Sequence, residues 1–334
     1  MQTYHFQDDF NNQIHFYGRH QKTSTGHAFY YTASGFCLKA QGTYIKLAFH
    51  SYSEEPNKKA YIVLKVNGEQ QVFMLQQGLT EVEYILDQAP CEIYVYKRSE
   101  SMMSRTELVS VTIDGKLLPI TIRQKPINIL FIGDSLTCGY GNLSDDPNLP
   151  FSTVYEDGLQ SYASLAAEGL DANYHIVAVS GIGLYKSIYA NVTMPSIYEH
   201  YDIYDTTPYP FQEHFDFVVI NLGTNDYAYM KFLVEPTRIY EEQKFIETYQ
   251  AFVERLKELH PKANFIIVSQ GSRQGFMDEV ICRAYEQVKD DYTYHFRASD
   301  VLKEDGMGQQ YHPTIKTHKR WGQELKTFIE NIRK

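Results

Sequence analysis

Four short stretches hold residues whose types could act together: Gly133-Asp134-Ser135, Ser180-Gly181-Ile182-Gly183, Gly223-Thr224-Asn225-Asp226, and Gln309-Gln310-Tyr311-His312-Pro313. The chemistry they suggest is acyl transfer. A serine hydroxyl is a weak nucleophile until a base takes its proton, and a histidine titrating near neutrality suits that task. The tetrahedral intermediate also needs donors aimed at its oxyanion. The N–H groups of Ser135 and Gly181 and the side-chain amide of Asn225 are of the right kind, and glycine permits close backbone approach. Ser135 and His312 are therefore the candidate nucleophile and base, with Ser135, Gly181 and Asn225 as the candidate oxyanion hole. Each stretch alone is also an ordinary turn or strand exit. The chemical reading rests on their occurring together.

Their placement depends on the elements around them. Apolar runs at 127–132, 175–180, 215–222 and 264–269 read as strands buried on both faces, with a weaker fifth at 292–299. Helical patterns at 160–170, 240–260 and 277–291 lie between or after them, and 316–334 closes the chain as an amphipathic helix. Alternation of this kind implies a parallel sheet with helices on both faces. Ligands of such sheets bind beyond the carboxyl ends of the strands, which is where the four stretches fall.

Residues 1–124 have a different period. Short β-branched and aromatic segments alternate with turns, and Asn67-Gly68 and Asp114-Gly115 are both hairpin signals. The expected organisation is a jelly-roll β-sandwich over 1–124, a linker near 123–126, and an α/β domain over 127–334.

Composition narrows the partners. A net charge of −10 with no basic block argues against nucleic acid and anionic membrane. The four cysteines are scattered with no metal-ligand spacing, so neither a metal nor a disulfide framework is implied, and the chemistry above needs no cofactor. The amino-terminal residues lack signal-peptide features and no apolar run reaches transmembrane length, so the expected location is the cytoplasm. Tyrosine is abundant, with 28 copies, which fits a β-rich fold and also a surface for flat, part-apolar ligands such as sugars.

Residues 127–334 resemble an SGNH (GDSL-type) hydrolase, a flavodoxin-like α/β fold whose four blocks supply the catalytic serine, two oxyanion donors and the catalytic histidine. The matching positions are Ser135, Gly181, Asn225 and His312. The larger pattern, with "IGDSLTCGYG", "SYASL", "SGIGLY", "NLGTND" and "HPTIKTH" behind a jelly roll, is similar to carbohydrate esterase family two. That resemblance implies deacetylation of O-acetylated sugars, such as acetylated xylo- and manno-oligosaccharides, with the sandwich packed against the hydrolase. The Gly-x-Ser-x-Gly elbow of α/β-hydrolases is absent.

One departure stands out. SGNH enzymes usually carry Asp three residues before the histidine, and here that residue is Gln309. The resemblance then implies a Ser–His dyad, with a backbone carbonyl near 309–310 accepting from His312 Nδ1–H. The competing possibility is that Asp305 loops back as the acid. Tyr227 and Asp226, beside Asn225, are candidate substrate contacts, although Asp226, like Asp134, could instead hold its own loop. His318 falls on a helix face and reads as structural. The stretch 184–214, with six tyrosines, is long for a connection. It reads either as a substrate wall or as a cover over the sandwich. Two other functions stay open: a lipase or thioesterase for longer acyl chains, and an inactive carbohydrate-binding protein.

Overall fold

Asn67 and Gly68 both take positive φ, 51° and 87°, and the flanking strands pair with Val66 opposite Glu69. This is the two-residue hairpin turn whose twist matches its strands. The structure, a computed structural model, describes residues 1–5, 12–53, 55–188, 192–270 and 275–333. Before residue 119 it contains β1 (Gln2–His5), β2 (Ile14–Tyr17), β3 (His20–Lys22), β4 (His27–Phe29) and β5 (Gly35–Tyr52). These are followed by β6 (Ala60–Val66), β7 (Glu69–Leu75), β8 (Gly78–Ile85), β9 (Cys91–Lys97) and β10 (Arg105–Leu118). Strands β5 and β10 pair antiparallel along most of their length. The first part of β5 also pairs with β9, and its second part with β8, so the sheet passes from one layer of the sandwich to the other. Alternate residues such as Phe36, Leu38, Ile62, Leu64, Ile93 and Val95 fill the core between the layers.

The second hairpin signal behaves differently. Asp114 and Gly115 lie inside the unbroken β10 and mark a register shift against β5. A Cβ on Gly115 would stand 2.1 Å from the carbonyl oxygen of Gln41. Glycine here serves close strand approach at a bulge, so the expected hairpin is corrected to an irregularity within one strand.

After residue 126 come β11 (Ile127–Gly133) and β12 (Ala172–Ala178), a small β13–β14 hairpin (His200–Asp202, Asp205–Pro208), then β15 (Phe217–Asn221), β16 (Asn264–Ser269) and β17 (Thr293–Arg297). The order β12-β11-β15-β16-β17 is parallel throughout. The helices are α1 (Ser135–Cys138), α2 (Tyr162–Gly169), α3 (Met194–Ile197), α4 (Thr224–Met230), α5 (Thr237–Leu259), α6 (Met277–Val288) and α7 (Ile315–Ile332). Helices α2 and α7 cover one face, with Trp321, Leu325 and Ile329 against Phe131 and Ala163; α5 and α6 cover the other.

Both cores extend into the sandwich half. Tyr30 and Tyr31 belong to the α5–α6 core, and Ala33 and Val63 to the α2–α7 core. Burying an apolar side chain contributes about 1.5–3 kcal/mol, so these shared cores tie the halves together. Arg19 of the sandwich, 2% exposed, lies over the rings of Tyr209 at 4.4 Å and Tyr198 at 4.8 Å and donates to the carbonyl of His200. Tyr204 Oη donates to Met102 O. Of the two readings of 184–214, its described residues therefore show the cover over the sandwich. Asn191, in an Asn-Val-Thr triplet of this segment, lies outside the described residues.

Candidate active site

Strand β11 ends at Gly133, and Asp134 caps the single turn of α1 by accepting from Leu136 N–H at 3.1 Å. This fixes Ser135 at the carboxyl edge of the sheet, 8% exposed. Ser135 Oγ lies 2.9 Å from His312 Nε2. On the other side of the ring, His312 Nδ1 lies 3.1 Å from Gln310 O, within the 309–310 window singled out above.

The loop presenting that carbonyl is tightly held. Gln310 and Tyr311 take left-handed φ of 50° and 60°, a conformation that costs side-chain-bearing residues and persists only under strong constraint. The constraints are visible. Gly308 N–H donates to His312 O at 2.7 Å, and Gln309 N–H donates to Gly141 O at 3.1 Å. Gly141 is itself at φ 67°, and a Cβ there would sit 2.7 Å from Gln309 O. Gln309, standing where an acid is usual, is fully buried and turned away, donating to Pro150 O and accepting from Ser152 N–H. Tyr140 completes the clamp: its ring lies 4.3 Å from the His312 ring, and its hydroxyl donates to Gln310 Oε1 at 2.5 Å. The sequence reading missed Tyr140, whose only signal is its place between two glycines after the serine.

Asp305 is engaged elsewhere. Its Oδ2 accepts from Arg320 Nη2 at 2.6 Å and Thr317 Oγ1 at 2.9 Å. Burial pushes this carboxyl up, but those hydrogen bonds outweigh it and hold it below the usual range.

The Gly181 and Asn225 stretches meet beside the serine. Asn225 Nδ2 donates to Ile182 O at 2.8 Å and lies 3.5 Å from Asp134 Oδ2. Gly181 is at φ 77°, which suits the abrupt turn after β12. Asp226 requires a correction. It is fully buried, and its carboxylate accepts from the backbone N–H groups of Leu184, Tyr185 and Lys186 at 2.7–2.9 Å. With no exposed surface and three backbone donors from 184–186 on its carboxylate, it holds the loop and is not a substrate contact. Tyr227 is half-buried, edge-to-face with Phe276 at 5.4 Å. His318 is buried and accepts from Tyr162 N–H at 3.1 Å, as a structural histidine would. Cys138, behind Ser135, is also buried, and burial together with Glu100 and Glu156 holds its thiol protonated. Among the described residues no group of three or more potential metal ligands occurs.

Residues 131–320 match the GDSL-like Lipase/Acylhydrolase family. The chain belongs to that family. This GDSL-like protein is 30% identical over 286 residues to Cellulase/esterase CelE of Acetivibrio thermocellus, a match covering 80% of this chain and 32% of the relative. It is 25% identical over 272 residues to an acetylxylan esterase / glucomannan deacetylase of Cellvibrio japonicus, covering 77% and 71%. The chain thus spans about a third of the first relative's length. Among solved structures, a family two carbohydrate esterase from Clostridium thermocellum in complex with cellohexaose superposes with a TM-score of 0.85 at 23% identity, over 95% of this chain and 98% of that one. The GDSL-like domain and its sandwich therefore share one two-part fold with that esterase.

Proposed function

We propose that the protein is a serine esterase that removes O-acetyl groups from carbohydrates through an acyl-enzyme, with Ser135 and His312 as a dyad. The observation that carries this reading is the 2.9 Å contact between Ser135 Oγ and His312 Nε2, with Nδ1 occupied by a carbonyl. A carbonyl at Nδ1 accepts only from N–H, so it selects the tautomer in which Nε2 is free to take the serine proton. Ser135 Oγ attacks the acetyl carbonyl as His312 Nε2 takes its proton. The same proton passes to the departing sugar oxygen, and water, deprotonated by His312, then releases acetate and regenerates the serine. The imidazolium formed in each step is stabilised by the Gln310 carbonyl dipole in place of a carboxylate.

The oxyanion is received by the N–H groups of Ser135 and Gly181 and by Asn225 Nδ2. Asn225 commits one amide proton to Ile182 O, while its 3.5 Å approach to Asp134 is at the limit of a hydrogen bond, so the second proton is weakly held and can be shared with developing charge. Asn225→Ala is expected to keep the fold and to lower kcat by about 10²–10³-fold; steady-state rates on an acetyl ester check this. Tyr227 is proposed to present its ring to a sugar face. The carbohydrate and acetyl parts of the proposal draw support from the names of the esterase relatives.

Acetate release from acetylated xylo- and manno-oligosaccharides, compared between the parent and Ser135→Ala, tests the proposal. Release that vanishes in the variant is expected. Activity confined to octanoyl or longer esters would replace the reading by a lipase or thioesterase. The cytoplasmic expectation belongs to the same proposal, and native protein found in culture medium around intact cells would overturn it.

A further inference from the structure

A loop of the sandwich, residues 98–104, runs beneath the candidate active site and carries a buried cluster of charged groups. Glu100 and Glu156 are both fully buried, and Glu100 N–H donates to Glu156 Oε1 at 2.6 Å. Lys97 Nζ donates to the carbonyls of Tyr30, Glu100 and Ser104 and holds this loop in place. Glu156 belongs to the catalytic half, and a second contact reaches that half: Glu100 Oε2 accepts from the backbone N–H of Ser180 at 2.7 Å. Ser180 immediately precedes Gly181, whose N–H is an oxyanion donor in the reading above.

Four hydrogen bonds fix the peptide groups around Gly181. Gly181 O accepts from Ile188 N–H at 3.1 Å, Ile182 O accepts from Asn225, Val179 O accepts from Ile182 N–H at 3.3 Å, and Ser180 N–H is held by Glu100. The first two restraints come from the hydrolase half and lie after the Gly181 N–H. Before it, Glu100 holds the amide side of the peptide between Val179 and Ser180, and only the φ and ψ of Ser180 separate that peptide from the one bearing the Gly181 N–H. We infer that Glu100 is a positioning residue for the oxyanion hole, through which the sandwich sets the direction of the Gly181 N–H. Such a contact acts on the transition state and not on substrate binding, because the oxyanion exists only there. The inference rests on the esterase reading.

Its test separates reach from charge. Glu100→Asp keeps the carboxylate but withdraws it by one methylene, whereas Glu100→Gln keeps an acceptor oxygen at the original distance without charge. With 4-nitrophenyl acetate, and rates expressed per titrated Ser135, Glu100→Asp is expected to lose about 10²-fold in kcat with KM within twofold. Glu100→Gln is expected to restore kcat to within about threefold of the parent on the same physical ground, an acceptor for Ser180 N–H. Normalising to titrated serine removes any unfolded fraction from the comparison. Native turnover in Glu100→Asp, equal losses in both variants, or a loss confined to KM would each overturn the inference. A parent protein inactive on every acetyl ester would remove the esterase reading and this inference with it; full activity in Glu100→Asp removes the inference alone.

Discussion

Replacing His312 with alanine is expected to lower turnover on acetyl esters by about 10⁴–10⁶-fold, whereas Asp305→Asn leaves it within a few-fold. The contrast follows from where each side chain points. His312 touches Ser135 Oγ, and without it no group takes the serine proton. An aspartate that orients a catalytic histidine is sensitive to replacement by asparagine, which costs about 10⁴-fold because the wrong imidazole tautomer is favoured. Asp305 faces Arg320 and Thr317, and the tautomer is set by Gln310 O. Steady-state rates for the two variants decide between dyad and triad. A loss in Asp305→Asn approaching that of His312→Ala would establish Asp305 as the acid and end the dyad reading.

The second large effect is on stability. Lys97→Met is expected to cost about 3–5 kcal/mol, because removing one partner strands the others in a buried place. Three carbonyl oxygens lose their donor at once, and Glu100, Glu156 and Asp202 lose the attraction of a buried cation. Burial pushes the lysine down to about 8, against the attraction of those carboxylates. The folded chain thus begins to release this proton near pH 8, while the unfolded chain holds it toward 10.5. Between those values the unfolded state binds more protons, so the lysine's contribution to stability rises with pH. Urea unfolding at pH 7.5 and pH 9.5 checks both statements. The gap between parent and variant is expected to be large at the lower pH and larger at the higher one.

Much of this arrangement could be read from residue types. The buried runs ending in Gly133, Ser180 and Leu222 announce parallel strands, because a strand covered on both faces must be apolar throughout, and small residues at its end allow a tight exit. The structure starts β12 three residues before the expected 175 because polar Asn173 lies on that strand without breaking its ladder to β11. Asp114-Gly115 misled for a related reason: a glycine that relieves close approach at a bulge has the same local signature as one that makes a turn. The loop role of Asp226 depends on three donors some forty residues away, and the clamp of Tyr140 on His312 joins positions 172 residues apart in number. Glu100 had no signal at all, since a lone glutamate in a loop ordinarily faces water. Long-range pairing of polar groups is set by tertiary approach, and period and composition carry no trace of it.

The seat of Arg19 has a consequence for how the chain is made. Synthesis runs from the amino terminus, so the sandwich leaves the ribosome well before Tyr198 and Tyr209 exist to receive the guanidinium. During that interval Tyr30 and Tyr31 lack Leu130, Val177 and Phe252, the residues of the second half that complete their core. A nascent or prematurely terminated sandwich therefore displays a sticky aromatic face, and the second half acts as the folding partner that covers it.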